Sequence, residues 1–297
     1  MNIHPIAWKS TLAVFAVAAV CLAYAYFIEP SRLVVNQYEM RVKGWNQAFD
    51  GFRVALISDI HGGSNGVTAE YLRGLVEKVN DTDADAVFLL GDYISRDPSD
   101  HSKLRMAPAE VVRSLAGMRG KHGVFVVLGN HDEAYAADEL VREFERIGYR
   151  VLNGKLAEIE SNSGERLRIY GLLDHTRIGI WKNYSGNAKR DLVPTDGTGD
   201  LIVLQHSPDA LPAITGELLI SPDLKIMFAG HTHGGQVWLP ILGRPVVPSM
   251  FGQKFAAGHV RSDGIDVFVT TGVGTSILPF RFLVTPEVAV VTIRTKE

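Results

Sequence analysis

The chain has 297 residues, 46% apolar and 21% charged, enough for one large globular domain or two small ones. A formal net charge of -3, with no run rich in Lys or Arg, leaves no electrostatic footprint for a nucleic-acid partner. The only cysteine, Cys21, excludes disulfides and thiolate chemistry from the rest of the chain.

The first element in chain order is an uncharged run, Thr11 to Ile28, TLAVFAVAAVCLAYAYFI, between Lys9 and Glu29. About 18 such residues is near the minimum for a helix that crosses a bilayer, and exceeds the roughly 7–15 apolar residues of a signal peptide. Trp8 at one end and Tyr24, Tyr26 and Phe27 at the other suit the interfacial belts. Residues 1–30 are therefore expected to form a retained membrane anchor. A signal cleaved after Ala23-Tyr24-Ala25 is the alternative, and a buried soluble helix a third. Lys9 favours an exported domain, whereas Arg32, Arg41 and Lys43 weigh the other way, so the side of the membrane stays open.

From residue 31 to 297 one domain is expected, with no linker dividing it. Leu33–Val42 alternates loosely, as an edge strand does. Phe52–Ile57, Ala86–Leu90, Val124–Leu128, Leu201–Leu204, Lys225–Ala229 and Val267–Thr271 are short apolar runs of the kind buried on both faces of a sheet. Helical patterns lie between them at Thr68–Asn80, Pro108–Met118 and Tyr135–Ile147. The polar segment Asp174–Asp200 shows no clear period and reads as a lid, a binding loop or a disordered stretch. The alternation of strand and helix predicts an α/β domain with helices outside the sheets.

The residues just past each apolar run carry the chemistry. Ile57 leads into Ser58-Asp59-Ile60-His61, Leu90 into Gly91-Asp92, and Leu128 into Gly129-Asn130-His131-Asp132. Leu204 leads into Gln205-His206, and Ala229 into Gly230-His231-Thr232-His233. A single Asp after a strand is ordinarily a turn or cap residue, and a single His a satisfied polar group. Five strand ends that all deliver metal-competent side chains to the ligand-binding edge of a sheet argue for a metal centre. Oxygen and nitrogen donors without thiolate suit Mn, Fe or Zn. Asp59, His61, Asp92, Asn130, His206, His231 and His233 are more donors than one catalytic Zn needs, and enough for two ions sharing a bridge. Two divalent cations about 3.7 Å apart repel by roughly 18 kcal/mol at an effective dielectric near 20, which a bridging carboxylate and hydroxide would relieve. His231 and His233, two residues apart on an extended segment, would share a face and serve one ion each.

The ordered blocks Asp59-x-His61, Gly91-Asp92, Gly129-Asn130-His131-Asp132, His206 and Gly230-His231-x-His233 resemble the calcineurin-like metallophosphoesterases. The GHTHGGQ stretch, the tail Thr271–Ser276 with Pro279, Arg281 and Pro286-Glu287, and the N-terminal apolar segment resemble the membrane-anchored bacterial YkuE/YaeI-like branch. The resemblance implies a four-layer α/β/β/α sandwich behind an N-terminal transmembrane helix. It implies that Asp59, His61 and His233 hold one metal, that Asn130, His206 and His231 hold the other, and that Asp92 bridges. Manganese is the favoured ion. His131 is the implied catalytic histidine, with Asp132 orienting it. The reaction would be hydrolysis of a phosphodiester or pyrophosphate by a metal-bridging hydroxide. No nucleophilic Ser or Cys is apparent in these blocks.

For the branch, the implied location is the bacterial inner membrane, by a single pass. The implied substrate is a lipid or glycolipid such as UDP-2,3-diacylglucosamine. The apolar segment Val237–Phe251 reads either as core packing or as an acyl-chain or membrane edge. Arg281 and the Gly272–Gly274 turn are candidate contacts for the substrate phosphate. A general exported phosphodiesterase and a non-catalytic scaffold of the same fold are the alternatives. The oligomeric state is not legible.

Overall fold

A strand buried on both faces sends alternate side chains into two different cores, and the apolar runs do this. The computed structural model describes residues 5–177, 180–192 and 198–296. Residues 1–4 of the expected anchor, and 178–179 and 193–197 of the expected polar loop, lie outside the described residues. The elements are α1 (Pro5–Phe27), β1 (Val34–Lys43), β2 (Phe52–Ile57), α2 (Ala69–Asn80), β3 (Ala86–Leu89) and α3 (Pro108–Ser114). The middle of the chain forms β4 (Val124–Val126), α4 (Asn130–Tyr135), α5 (Ala137–Arg146), β5 (Arg150–Val151), β6 (Lys155–Glu160) and β7 (Arg166–Gly171). The chain ends with α6 (Trp181–Leu192), β8 (Asp200–Leu204), β9 (Leu224–Ala229), β10 (Gly258–Ser262), β11 (Ile265–Val269) and β12 (Glu287–Lys296).

Two six-stranded mixed sheets result, in the orders β1-β12-β2-β3-β4-β5 and β10-β11-β9-β8-β7-β6. Val54, Leu56 and Phe88 of the first sheet meet Ile202, Ile226 and Phe228 of the second in the central core. Their alternates Ala55, Ile57, Val87 and Leu89 pack outward under α2, α3 and α5. On the far side, Met227 and Ala229 pack with Tyr184 and Leu192 of α6. The architecture is therefore the α/β/β/α sandwich. Strands β2, β3, β4 and β5 run parallel, as do β7, β8, β9 and β11, so their carboxyl ends gather at one edge.

Some expectations need correction. The Asp174–Asp200 segment is not a structureless loop: α6 occupies Trp181–Leu192, with Tyr184 and Ala188 on its buried side. Its apolar positions are few and diluted by Lys, Asn and Arg, which hid the period. The hairpin β6–β7 carries too many polar residues to read as a buried run, whereas β12, not among the expected strands, is apolar and buried over most of Val288–Ile293. Leu33–Val42 is an edge strand as expected, paired only with β12.

Arg281 is not a substrate contact. It is 0% exposed, and its guanidinium donates to the carbonyls of Gly274, Thr271 and Val284 at 2.6 to 3.3 Å. Burial lowers its pKa to about 10, against the pull of Asp59. The same residue donates its backbone N–H to the carbonyl of Ala25 near the end of α1. Two neighbours reinforce this join. Asn65 Nδ2 donates to the Tyr26 and Pro279 carbonyls, and the N–H of Leu283 donates to the buried carboxylate of Glu29. Further up α1, Leu12, Val14, Phe15, Val17 and Val20 are exposed.

Replacing Arg281 with Met would leave three backbone carbonyls without a donor, at about 1–3 kcal/mol each. A loss of at least about 3 kcal/mol in denaturant unfolding is expected. Unchanged stability with a raised KM would restore the phosphate-contact role.

Candidate metal centre

The carboxyl ends of β2, β3, β4, β8 and β9 bring the seven expected donors together. Asp59 Oδ1 lies 3.2 Å from His233 Nε2, which lies 3.1 Å from His61 Nε2. On the other side, His206 Nε2 lies 3.1 Å from His231 Nδ1. Asp92 Oδ2 sits between the two groups, 3.6 Å from His61 Nε2 and 3.3 Å from His206 Nε2. Asp59, His61 and His233 form one cluster able to hold a cation, and Asp92, His206 and His231 another. Asn130 lines the same cavity as Asp92, His231 and His233, and its Oδ1 is buried without a hydrogen-bond partner.

The donor set fits divalent cations on physical grounds. His206 Nδ1 lies 2.8 Å from the carbonyl of Leu90, an acceptor, so this nitrogen carries a proton and Nε2 is the one turned to Asp92 and His231. Asp59 Oδ1 also has no hydrogen-bond partner. Burial pushes the His61 and His231 imidazoles down to about 3, and His233 well below the ordinary imidazole value, which keeps all three neutral. Burial likewise pushes Asp59 up to about 6. For His206 burial opposes charge, but the Asp92 carboxylate overrides it and raises the pKa to about 10. Buried neutral imidazoles facing carboxylates and one another at 3 Å, with an orphaned oxygen beside them, are a constellation that cations satisfy.

Backbone geometry shows what holds this arrangement. Asp59, His61, Asp92, His231 and His233 all have left-handed φ, between 45° and 70°. The expected extended geometry of His231–His233 is therefore wrong. Both residues are left-handed around an αR Thr232, and the two rings diverge to opposite groups. Gly230 is required by close approach, because a β-carbon there would stand 2.6 Å from Asp59 Oδ2. At Gly129 the same atom would stand 2.6 Å from the Asp92 nitrogen. Gly272 packs against Asp59, and the Val273 and Gly274 N–H groups donate to the Ser58 and Asp59 carbonyls, so this turn supports the site from behind.

His131 reaches the same cavity. Its side chain is 30% exposed, Nε2 is 4.0 Å from Asp92 Oδ2, and its ring stands edge-on to His61 at 4.8 Å. The reading of Asp132 as the group that orients His131 is corrected. His131 Nδ1 has no hydrogen-bond partner, whereas Asp132 accepts from the N–H groups of Asp92, Tyr93 and Gly129 at 2.7 to 2.9 Å. Asp132 is thus a buried clamp on the loop that carries Asp92.

Asp174 and His175 were missed. His175 Nδ1 lies 3.1 Å from the fully buried Asp174, and its ring is 5.0 Å from that of His231. They come after β7 as the other site residues come after their strands, so the signal was an Asp-His pair after Arg166–Leu172.

The cavity above the donors measures ≈ 310 Å³. Its floor is Asp92, Asn130, His131, His231 and His233, and Val246, Pro248, Ile277 and Leu278 form its apolar wall.

Comparison with known proteins agrees with this geometry. The family model of calcineurin-like phosphoesterases matches residues 52–235, which include all seven donors. An uncharacterized metallophosphoesterase of Bacillus subtilis, YkuE, is 27% identical, the match covering 91% of this chain and 89% of that one. A transmembrane protein with a metallophosphoesterase domain from Danio rerio is 26% identical, over 97% of this chain and 63% of its own. The UDP-2,3-diacylglucosamine pyrophosphatase LpxG of Chlamydia muridarum is 24% identical over 78% of each chain. Among solved structures, the NAD nucleotidase of Haemophilus influenzae superposes with a TM-score of 0.46 at 15% identity, over 75% of this chain and 50% of that one. The chain belongs to the calcineurin-like phosphoesterase family and is a metal-dependent hydrolase of phosphate esters.

Proposed function

We propose that the chain hydrolyses a phosphodiester or pyrophosphate bond of a lipid-linked substrate at the membrane surface. Asp59, His61 and His233 hold one ion, Asn130, His206 and His231 hold the other, and Asp92 joins them. The observation that carries this reading is the position of Asp92 Oδ2, within 3.6 Å of an imidazole from each group. When bound, two divalent cations, with manganese favoured, acidify water towards a pKa near 7 and neutralise charge on the phosphate oxygens. The chain's own residues do the rest. Asp92 Oδ1 is fixed by the N–H of His131, and Asp59 Oδ2 by the N–H of His231, so each carboxylate is aimed before substrate arrives. His131, at the cavity and free at Nδ1, delivers a proton to the departing alkoxide.

The apolar rim supports a membrane-bound substrate. Ile241 and Ile277 are 103% and 90% exposed and both have left-handed φ, 77° and 60°. A β-branched residue in that conformation is an outlier with a cost, and neither packing nor backbone preference accounts for these two. Val246 and Leu278 line the cavity, and Leu242, Met250 and Leu283 add further exposed apolar surface. The end of α1 is joined to Arg281 and Leu283 at the same rim. Residues 1–30 accordingly serve as a single-pass anchor in the cell membrane and 31–297 as the catalytic domain, held with its cavity at the lipid interface. The name of the Chlamydia relative, a pyrophosphatase of a diacylated sugar nucleotide, makes a pyrophosphate-linked glycolipid the leading substrate class.

With Mn(II), the full-length protein should hydrolyse bis-p-nitrophenyl phosphate. His131→Ala should lower kcat by about 10²–10⁴-fold, and Asp92→Asn should abolish turnover with folding intact. A wild type inactive with Mn, Fe and Zn would favour a non-catalytic scaffold instead. Ile241→Asp combined with Leu242→Asp should slow hydrolysis of a lipid-linked pyrophosphate in vesicles while sparing the soluble ester. Equal rates for variant and wild type in vesicles would remove the membrane-rim reading.

A further inference from the structure

A second cavity, ≈ 180 Å³, adjoins the first, the two sharing His131 and the Ser276–Leu278 ridge. Arg96, His101 and Arg105 line it, together with Ser95, and no Asp or Glu does. These residues come from a short hairpin just after the Asp92 loop. Arg96 bridges Leu104 antiparallel, the Arg105 N–H donates to the Ser95 carbonyl, and the Asp97 N–H donates to the Lys103 carbonyl. The cations are therefore mounted on hydrogen-bonded backbone.

Their side chains are positioned as well. The Arg96 guanidinium lies 4.1 Å from the centre of the Tyr135 ring, which is itself edge-on to His131 at 6.0 Å. Arg105 commits only Nε, to the Arg96 carbonyl, and its terminal nitrogens enter no ion pair among the described residues. The one carboxylate on the hairpin's near strand, Asp97, turns Oδ1 to the N–H and hydroxyl of Ser99. Ser95 Oγ is buried, the residue being 7% exposed, and has no hydrogen-bond partner. A buried hydroxyl left unsatisfied beside two guanidinium groups is costly unless a ligand acceptor meets it.

We infer that this cavity is a subsite for a second phosphate of the substrate, bound beside His131 and next to the metal centre. The inference rests on the hydrolytic function proposed for the metal centre and sharpens it. Planar guanidinium groups and a hydroxyl match the oxygens of a phosphate, and the cavity has room for such a group. A plain diester would leave the two arginines unanswered. A pyrophosphate-linked ester offers one phosphorus to the metals and a second to Arg96, Arg105 and Ser95. The apolar wall of the first cavity then faces the hydrocarbon part.

The test compares two inhibitors of bis-p-nitrophenyl phosphate hydrolysis by the full chain at fixed free Mn(II): inorganic phosphate and methylenediphosphonate. Wild type should bind the diphosphonate at least about tenfold more tightly than phosphate, a single charge-assisted hydrogen bond being enough for that ratio. Arg105→Gln and Arg96→Gln should each shrink the ratio by about tenfold, and Ser95→Ala by several-fold. Arg96 is exposed, so its variant carries the test even if Arg105→Gln folds poorly. A ratio near one in wild type, or a ratio untouched by either arginine variant, overturns the subsite and leaves the hydrolase standing. Absence of any hydrolysis by wild type overturns both.

Discussion

Everything in this molecule defers to the convergence of lone pairs around Asp92. Imidazoles of His61 and His206 approach one carboxylate oxygen from opposite sides, and each is backed by another imidazole at 3.1 Å. Burial keeps most of these rings neutral, so they present lone pairs to one another with little water between. Such a cluster is destabilising on its own. Five of its members also sit in left-handed backbone conformations, at roughly 1 kcal/mol each for residues that tolerate them best. The sum, about 5 kcal/mol, approaches the net stability of an ordinary domain, about 5–15 kcal/mol. Cations that bind only the folded state offset that cost through linkage.

The sandwich makes the strain sustainable. Strands buried on both faces are rigid, and their parallel ends bring donors from residues as far apart as Asp59 and His233 to one edge. Support comes from behind: Asp132 gathers three N–H groups of the Asp92 and Gly129 loops, and Arg281 ties the Thr271–Gly274 turn under Asp59. Arg281 also meets the end of α1, so the segment that underpins the metal loop is continuous with the segment that meets the apolar helix. The apolar helix and the metal-binding edge are joined through this one segment.

Much of this was legible in the sequence, and the exceptions share a physical cause. Short apolar runs ending in Asp, Asn or His named the strands, their edge and the donors. A strand buried on both faces is a continuous apolar run, so β2, β3, β4, β8 and β9 stood out. Charged residues interrupt the run in β6 and in β7, where Arg166 and Arg168 fall, and dilute α6, which concealed these elements and with them Asp174 and His175. Arg281 and Asp132 were misread for another reason. Polar residues near a motif suggest contact with substrate, whereas these two are spent on backbone groups, and sequence carries no record of which partner a buried side chain satisfies. The left-handed turn at His231–His233 was equally hidden, because Gly230, Gly234 and Gly235 mark a bend without fixing its hand.

Crystals of the full-length protein grown with Mn(II), measured with anomalous scattering at the manganese edge, test the central claim most directly. The account predicts two peaks flanking Asp92, one among Asp59, His61 and His233 and the other among Asn130, His206 and His231. A single peak, or two that do not share Asp92, would contradict it.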